Sequence, residues 1–186
     1  MEKILLHTCC APCSSAIIEW MLHNEYHPVI FYYNPNIYPL AEYEIRKGEC
    51  TRYAKSLGLD IIDGDYNHQA WMSCIAGLEA EPERGTRCLE CFKMRLLVSA
   101  GKAKELGIER FTTTLASSRW KNLNQITEAG IWAATQVPET VLWEKNWRKG
   151  GLYERRNILL KEHNFYNQQY CGCEFSMGSK NTLKTK

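Results

Sequence analysis

Short apolar runs alternate with longer stretches of helical spacing along the chain. Ile4–Thr8 is a compact apolar run that stops abruptly at Cys9-Cys10-Ala11-Pro12-Cys13, and it predicts a first buried strand. Apolar residues at Ile17, Ile18, Met21 and Leu22 then follow a helical repeat. Pro12 suits a turn or first helical position, and Ser14 or Ser15 is the expected cap. Val29–Tyr33 is rich in β-formers and is stopped by the turn signal Asn34-Pro35-Asn36. Tyr38–Leu57 reads as an amphipathic helix closed by Gly58, and Ile61-Ile62 as a third strand closed by Asp63-Gly64-Asp65. Cys88–Leu106 sets Cys91, Met94, Arg95, Leu97 and Val98 on a helical repeat that ends at Gly107. Arg110–Leu115 is a fourth strand, Asn124–Thr135 a helix and Thr140–Trp143 a fifth strand. Strands alternating with helices predict an α/β fold with a mostly parallel sheet, in one domain over residues 1–178. The polar residues 179–186 are expected to be a disordered tail.

Composition adds bounds. A chain of 186 residues can bury a full core without disulfide staples. The 45% hydrophobic and 24% charged shares are those of a soluble globular protein. No apolar run reaches a membrane span or a signal-peptide core, so a cytoplasmic protein with no membrane partner is expected. A net charge of +2 neither announces a nucleic-acid binder nor excludes one, because a local basic surface suffices for phosphate contacts.

The cysteines change the picture most. Seven of the 9 fall into three clusters: Cys9, Cys10 and Cys13; Cys88 and Cys91; Cys171 and Cys173. In a reducing compartment such clusters point to metal ligation or redox catalysis rather than structural disulfides. Cluster one lies where the first strand hands over to the first helix, the carboxyl edge at which open α/β sheets keep their ligand sites. A helix N-terminus there favours thiolate, the form that binds metal. Iron–sulfur and zinc are the leading metals, and seven thiols exceed the four that one cluster or one zinc requires. The surplus predicts a second metal or a redox-active dithiol. The first loop holds no glycine between Leu5 and Trp20, so the phosphate cradle common at this position is missing. Cys50 and Cys74 stand alone and are expected to be buried small apolar residues. His7 is expected to be a satisfied histidine at a strand end.

Other loops could contact a ligand. Asn34 and Asn36, with Tyr33, follow the second strand, and Asp63 and Asp65 follow the third. Hydroxyls at Thr112-Thr113-Thr114 and Ser117-Ser118 end the fourth strand. Alternation across a strand makes Ser117 and Ser118 the better ligand candidates. Arg148 and Lys149, interleaved with Trp143, Trp147 and Tyr153, could hold phosphates and stack on unpaired bases, or form a solvated face.

With these segments in hand, the chain resembles the QueH family, the cobalamin-independent epoxyqueuosine reductases. The matching residues are His7-Thr8-Cys9-Cys10-Ala11-Pro12-Cys13, Tyr33-Asn34-Pro35-Asn36-Ile37 with Glu42-Tyr43 and Arg46, and Arg87-Cys88-Leu89-Glu90-Cys91-Phe92 with Arg95-Leu96. Further along come Arg110-Phe111-Thr112-Thr113-Thr114-Leu115, Arg148-Lys149-Gly150-Gly151 and Tyr170-Cys171-Gly172-Cys173. The resemblance implies an adenine-nucleotide-hydrolase-like (HUP) fold without its phosphate loop. It implies reduction of epoxyqueuosine to queuosine at the wobble position of tRNA anticodons, with a [4Fe–4S] cluster and a neighbouring iron. By position, Cys9, Cys10, Cys88 and Cys91 are the implied cluster ligands. Cys171 and Cys173 match a pair described either as a redox dithiol or as ligands of the second iron, with Cys13 beside them; some relatives carry aspartate at that position. The expected partners are tRNA and an unidentified electron donor. Asp65, Tyr33 or Glu90 is the expected proton donor. The competing readings are a metal-independent thiol–disulfide oxidoreductase using Cys171 and Cys173, and a zinc-stabilised RNA-binding module.

Overall fold

A computed structural model describes residues 1–177. The predicted tail therefore lies outside the described residues. Five strands, β1 (Glu2–Thr8), β2 (Tyr26–Tyr32), β3 (Ile61–Asp63), β4 (Arg110–Thr113) and β5 (Val141–Leu142), form one sheet in the order β3-β2-β1-β4-β5. Every pairing is parallel, with Leu5 opposite Val29 on one side and Phe111 on the other. The alternating pattern is thus realised as a doubly wound α/β fold whose strand order reverses between β1 and β4.

Six helices cover the sheet: α1 (Ala11–His23), α2 (Leu40–Ser56), α3 (His68–Cys74), α4 (Thr86–Glu105), α5 (Leu123–Gln136) and α6 (Leu152–Glu162). α1 packs against α2 and α6, and α4 packs against α5. Ile4, Leu5 and Leu6 of β1, Ile17, Ile18 and Met21 of α1 and Leu96 of α4 are all buried in the resulting core. Each such side chain contributes roughly 1.5–3 kcal/mol by leaving water. A smaller cluster of Trp71, Ile75, Cys91 and Cys173 lies beside this core and joins α3, α4 and the C-terminal segment.

Three expectations are corrected. α1 starts at Ala11 with Cys10 as its cap, not at Ser14 or Ser15. Proline near a helix start needs no backbone donor, so the helix can begin inside the cysteine cluster. Ser14 then lies in the first turn and its hydroxyl donates to the carbonyl of Cys10 at 3.0 Å. β4 stops at Thr113, and Thr114–Ser117 continues as a 3₁₀ turn. Cys74 is exposed rather than buried, because Trp71 and Ile75 take the inward face of α3. Cys50, at 3% exposure, is the buried residue expected.

Candidate metal centre

Cys9 leaves the end of β1 and Thr114 leaves the end of β4, on either side of the point where the strand order reverses. The Cys9 amide donates to the Thr114 hydroxyl at 3.2 Å, and that hydroxyl lies 3.4 Å from the Cys9 sulfur. Because α1 is capped by Cys10, Cys13 falls in its first turn, and the sulfurs of Cys9, Cys10 and Cys13 all lie within 4.8 Å of one another. This triad could hold a metal ion.

Hydrogen-bond donors face the sulfurs. The Gln168 side-chain amide donates to Cys10 at 2.9 Å and reaches Cys13 at 3.5 Å. Within the triad, hydrogen bonds from Cys10 and Cys13 hold the Cys9 thiol well below its ordinary range. Burial, and then the neighbouring sulfurs, push Cys10 up. Cys13 is pushed up to about 12: its hydrogen bond with Cys10 pulls down, but the one with Cys9 and burial prevail.

The second cysteine pair stands at the start of α4, which Gly85 caps. Cys88 accepts the Arg84 amide at 3.3 Å. Cys91 is buried in the small cluster with Cys173, beside the indole of Trp71, whose buried N–H has no oxygen or nitrogen acceptor. The third pair is held by Arg46. Its guanidinium donates to the carbonyls of Cys171 at 3.1 Å and Tyr170 at 3.3 Å, and its charge is met by Glu42 at 2.8 Å. Gly172 between the two cysteines sits at φ 143°, and a Cβ there would lie 3.1 Å from both Asn36 and Ile37. Cys171 and Cys173 are free thiols, and burial, with Cys171 nearby, pushes Cys173 up to about 12.

A cavity of about 300 Å³ opens onto the triad, walled by Cys9, Cys13, Cys171, Lys121 and Gln168. Ser117 and Ser118 line it as well. Lys121 is 8% exposed. Burial alone would strip its proton, but Cys171, Cys9 and Cys13 outweigh that and hold it above its ordinary range. At the mouth stand Trp120, 50% exposed, Arg156, and Arg119, whose guanidinium lies 3.7 Å from the centre of the Tyr153 ring.

The remaining expected residues lie elsewhere. Asn34 is buried: it donates to the Thr8 carbonyl at 2.9 Å and accepts from Arg95, so its amide is engaged inside the protein. Asn36 is buried beneath Gly172. Tyr33 is buried and stacks on Phe31, while Asp65 is exposed, and neither lines the cavity. Glu90 pairs with Lys93 at 2.9 Å. Arg148 donates to the carbonyl of Lys121 at 2.8 Å, and Lys149 is exposed. His7 is fully buried between the carbonyl of Tyr33, 2.9 Å from Nε2, and the hydroxyl of Thr113, 2.8 Å from Nδ1. A carbonyl only accepts, so Nε2 carries the proton. Sequence reading missed Lys121 and Gln168, and it ranked Thr114 below Ser117 and Ser118. The basic and aromatic run Arg119-Trp120-Lys121 directly after Ser118 was the available signal for the first of these.

The family model described as "Epoxyqueuosine reductase QueH" matches residues 4–179. Curated relatives carry the same name. The protein of Haemophilus influenzae is 46% identical over 180 residues, covering 97% of this chain and 74% of its own length. That of Acinetobacter baylyi is 44% identical over 180 residues, covering 97% and 83%. That of Thermotoga maritima is 35% identical over 180 residues, covering 95% and 91%.

Proposed function

Because the chain belongs to the QueH family of epoxyqueuosine reductases, we propose that it reduces epoxyqueuosine to queuosine at the wobble position of tRNA anticodons. The observation that carries this reading is the thiol triad at the strand-order switch, its sulfurs within 4.8 Å of one another and Cys9 and Cys13 lining a cavity of about 300 Å³. An oxidoreductase of this kind needs a sulfur-rich redox centre beside a pocket for one nucleoside.

The donor set fits an iron–sulfur group. The three thiols lie within 4.8 Å of one another, and the Gln168 amide and the Thr114 hydroxyl face their sulfurs. Cys9, Cys10, Cys88 and Cys91 would hold a [4Fe–4S] cluster, and Cys13, Cys171 and Cys173 would supply a second iron site or a dithiol. When bound, such a group supplies one-electron transfer and Lewis acidity toward the epoxide oxygen. The protein's own residues then bind, orient and exclude water. Gln168 fixes the sulfurs, and Arg46 closes the Cys171 segment over the site.

The cavity mouth suits an unpaired anticodon loop. Trp120 offers an open ring for base stacking, and Arg119 and Arg156 offer charge to phosphates. Among the described residues, no helix is long and apolar enough to cross a membrane. With a tRNA substrate and reduced thiols, the cytoplasm is the fitting compartment. A metal-free dithiol mechanism is less well supported, since the Cys173 thiol is buried and pushed up to about 12, where thiolate is scarce.

Anaerobic purification followed by iron and sulfide analysis, and conversion of epoxyqueuosine-containing tRNA with a chemical reductant, test the reading. A brown protein with about four or more irons per chain and queuosine as product is expected. A colourless protein holding one zinc and inert toward that tRNA overturns it.

A further inference from the structure

Lysine is almost never fully buried without a partner, because an ammonium removed from water must regain strong acceptors. Lys121 is buried, and among the described residues no carboxylate forms an ion pair with it. It stands in the cavity wall opposite Cys9, Cys13 and Cys171. Its loop is held with unusual completeness. Arg84 donates to the carbonyl of Arg119 at 2.9 Å and to that of Trp120 at 3.0 Å, and Arg148 donates to the carbonyl of Lys121 at 2.8 Å. Three successive carbonyls are thus gripped by two guanidinium groups from different parts of the chain. The Lys121 amide also donates to the Ser118 carbonyl at 3.4 Å. The backbone that carries Lys121 is thus held in place, and its side chain lines the cavity.

We propose that Lys121 is a catalytic residue of the reduction, its ammonium donating a hydrogen bond to the epoxide oxygen and holding the charge that builds there as the first C–O bond breaks. This rests on the reading above, that the epoxide occupies this cavity. In the whole reaction both C–O bonds break and a C=C bond forms between the same two carbons. Two electrons come from an external one-electron donor and two protons from solvent, and the oxygen leaves as water. Lys121 acts as a fixed donor, the arrangement in which a buried charge lowers a barrier without reorganising. Arg84 and Arg148 are positioning residues for it.

The test compares wild type, K121M and K121R as loaded holoenzymes. Without reductant, binding of tRNA carrying epoxyqueuosine is measured against the same tRNA carrying queuosine. A hydrogen bond from a charged donor predicts that wild type prefers the epoxide by about tenfold or more. K121M should cut that preference at least severalfold, and K121R should keep part of it. With reductant, kcat of K121M should fall about 100- to 1,000-fold, while its secondary structure by circular dichroism and its iron content match wild type. A wild-type preference near one, a preference unchanged in K121M, full turnover by K121M, or a K121M that cannot fold each overturns the proposal. Loss of turnover with the preference intact does so too, making Lys121 a cation that only tunes the sulfur site. Wild-type protein that converts no epoxyqueuosine overturns the function instead.

Discussion

The side-chain amide of Gln168 lies 2.9 Å from the sulfur of Cys10, across 158 positions of sequence. It also reaches Cys13, so a single residue from beyond α6 faces two sulfurs of the triad. Donors of this kind orient ligands and stabilise charge on them, and their loss costs about 10–100-fold in metal affinity or activity. Gln168→Glu goes further by placing a carboxylate against thiolates. The expected outcome is iron that a chelator removes at about 10-fold lower concentration than from wild type, with secondary structure by circular dichroism unchanged. Wild-type iron retention would show that Gln168 does not support the ligands.

Gly172 couples the third cysteine pair to the loop after β2. Its φ of 143° strains any residue with a Cβ, and a methyl group there would push Asn36 and Ile37, each 3.1 Å away, out of place. Gly172→Ala should destabilise the protein by about 1–3 kcal/mol. For a chain of 186 residues, each kcal/mol lowers the melting temperature by about 2–4 °C. Differential scanning calorimetry checks this, and an unshifted transition counts against the packing described.

Burial, followed by the charge of Arg95, lowers the His7 pKa from 6.5 to about 3. The unfolded chain therefore binds a proton near pH 6.5 that the folded protein refuses until near pH 3. Stability from this residue is complete above the upper value and is lost as the pH falls through the window between them, by up to about 1.4 kcal/mol per unit. Wild type should lose roughly that amount between pH 7.5 and 5.5 relative to His7→Gln, measured by urea titration. Equal pH dependence in the two proteins would remove His7 as the cause.

Trp120 is half exposed at the cavity mouth, while Arg84 holds the carbonyl of Arg119 before it and Arg148 that of Lys121 after it. Base stacking on such a ring is worth about 1–3 kcal/mol. Trp120→Ala should weaken binding of an anticodon stem-loop about 10-fold by fluorescence anisotropy, with iron content unaltered. Undiminished binding would place the RNA elsewhere on the surface.

The cysteine clusters were legible because their chemistry repeats at short spacing, and the parallel sheet because short β-rich runs such as Ile4–Leu6 and Val29–Tyr32 alternate with helical stretches. The start of α1 was not. Serine is a good cap in isolation, yet Pro12 lets the helix begin at Ala11, which draws Cys13 into the triad. α3 and α6 carry too few regularly spaced apolar residues to announce themselves, with Trp71 the one buried residue of α3 and Leu159 that of α6. Asn34 read as a ligand group but is taken up by Thr8 and Arg95. Lys121 and Gln168 acquire their meaning only from distant cysteines, and no local pattern encodes such a meeting.

That distance has a consequence for how the protein comes into being. The triad leaves the ribosome long before Gln168 and the Cys171 segment that Arg46 will clamp over it. At ordinary elongation rates the 158 positions from Cys10 to Gln168 take roughly 8–30 s to make. Through that interval three nascent thiols stand at an unfinished sheet edge, open to oxidants and stray metal ions. Gln168 and the Cys171 segment can screen the triad only after both have been made and have folded back onto it.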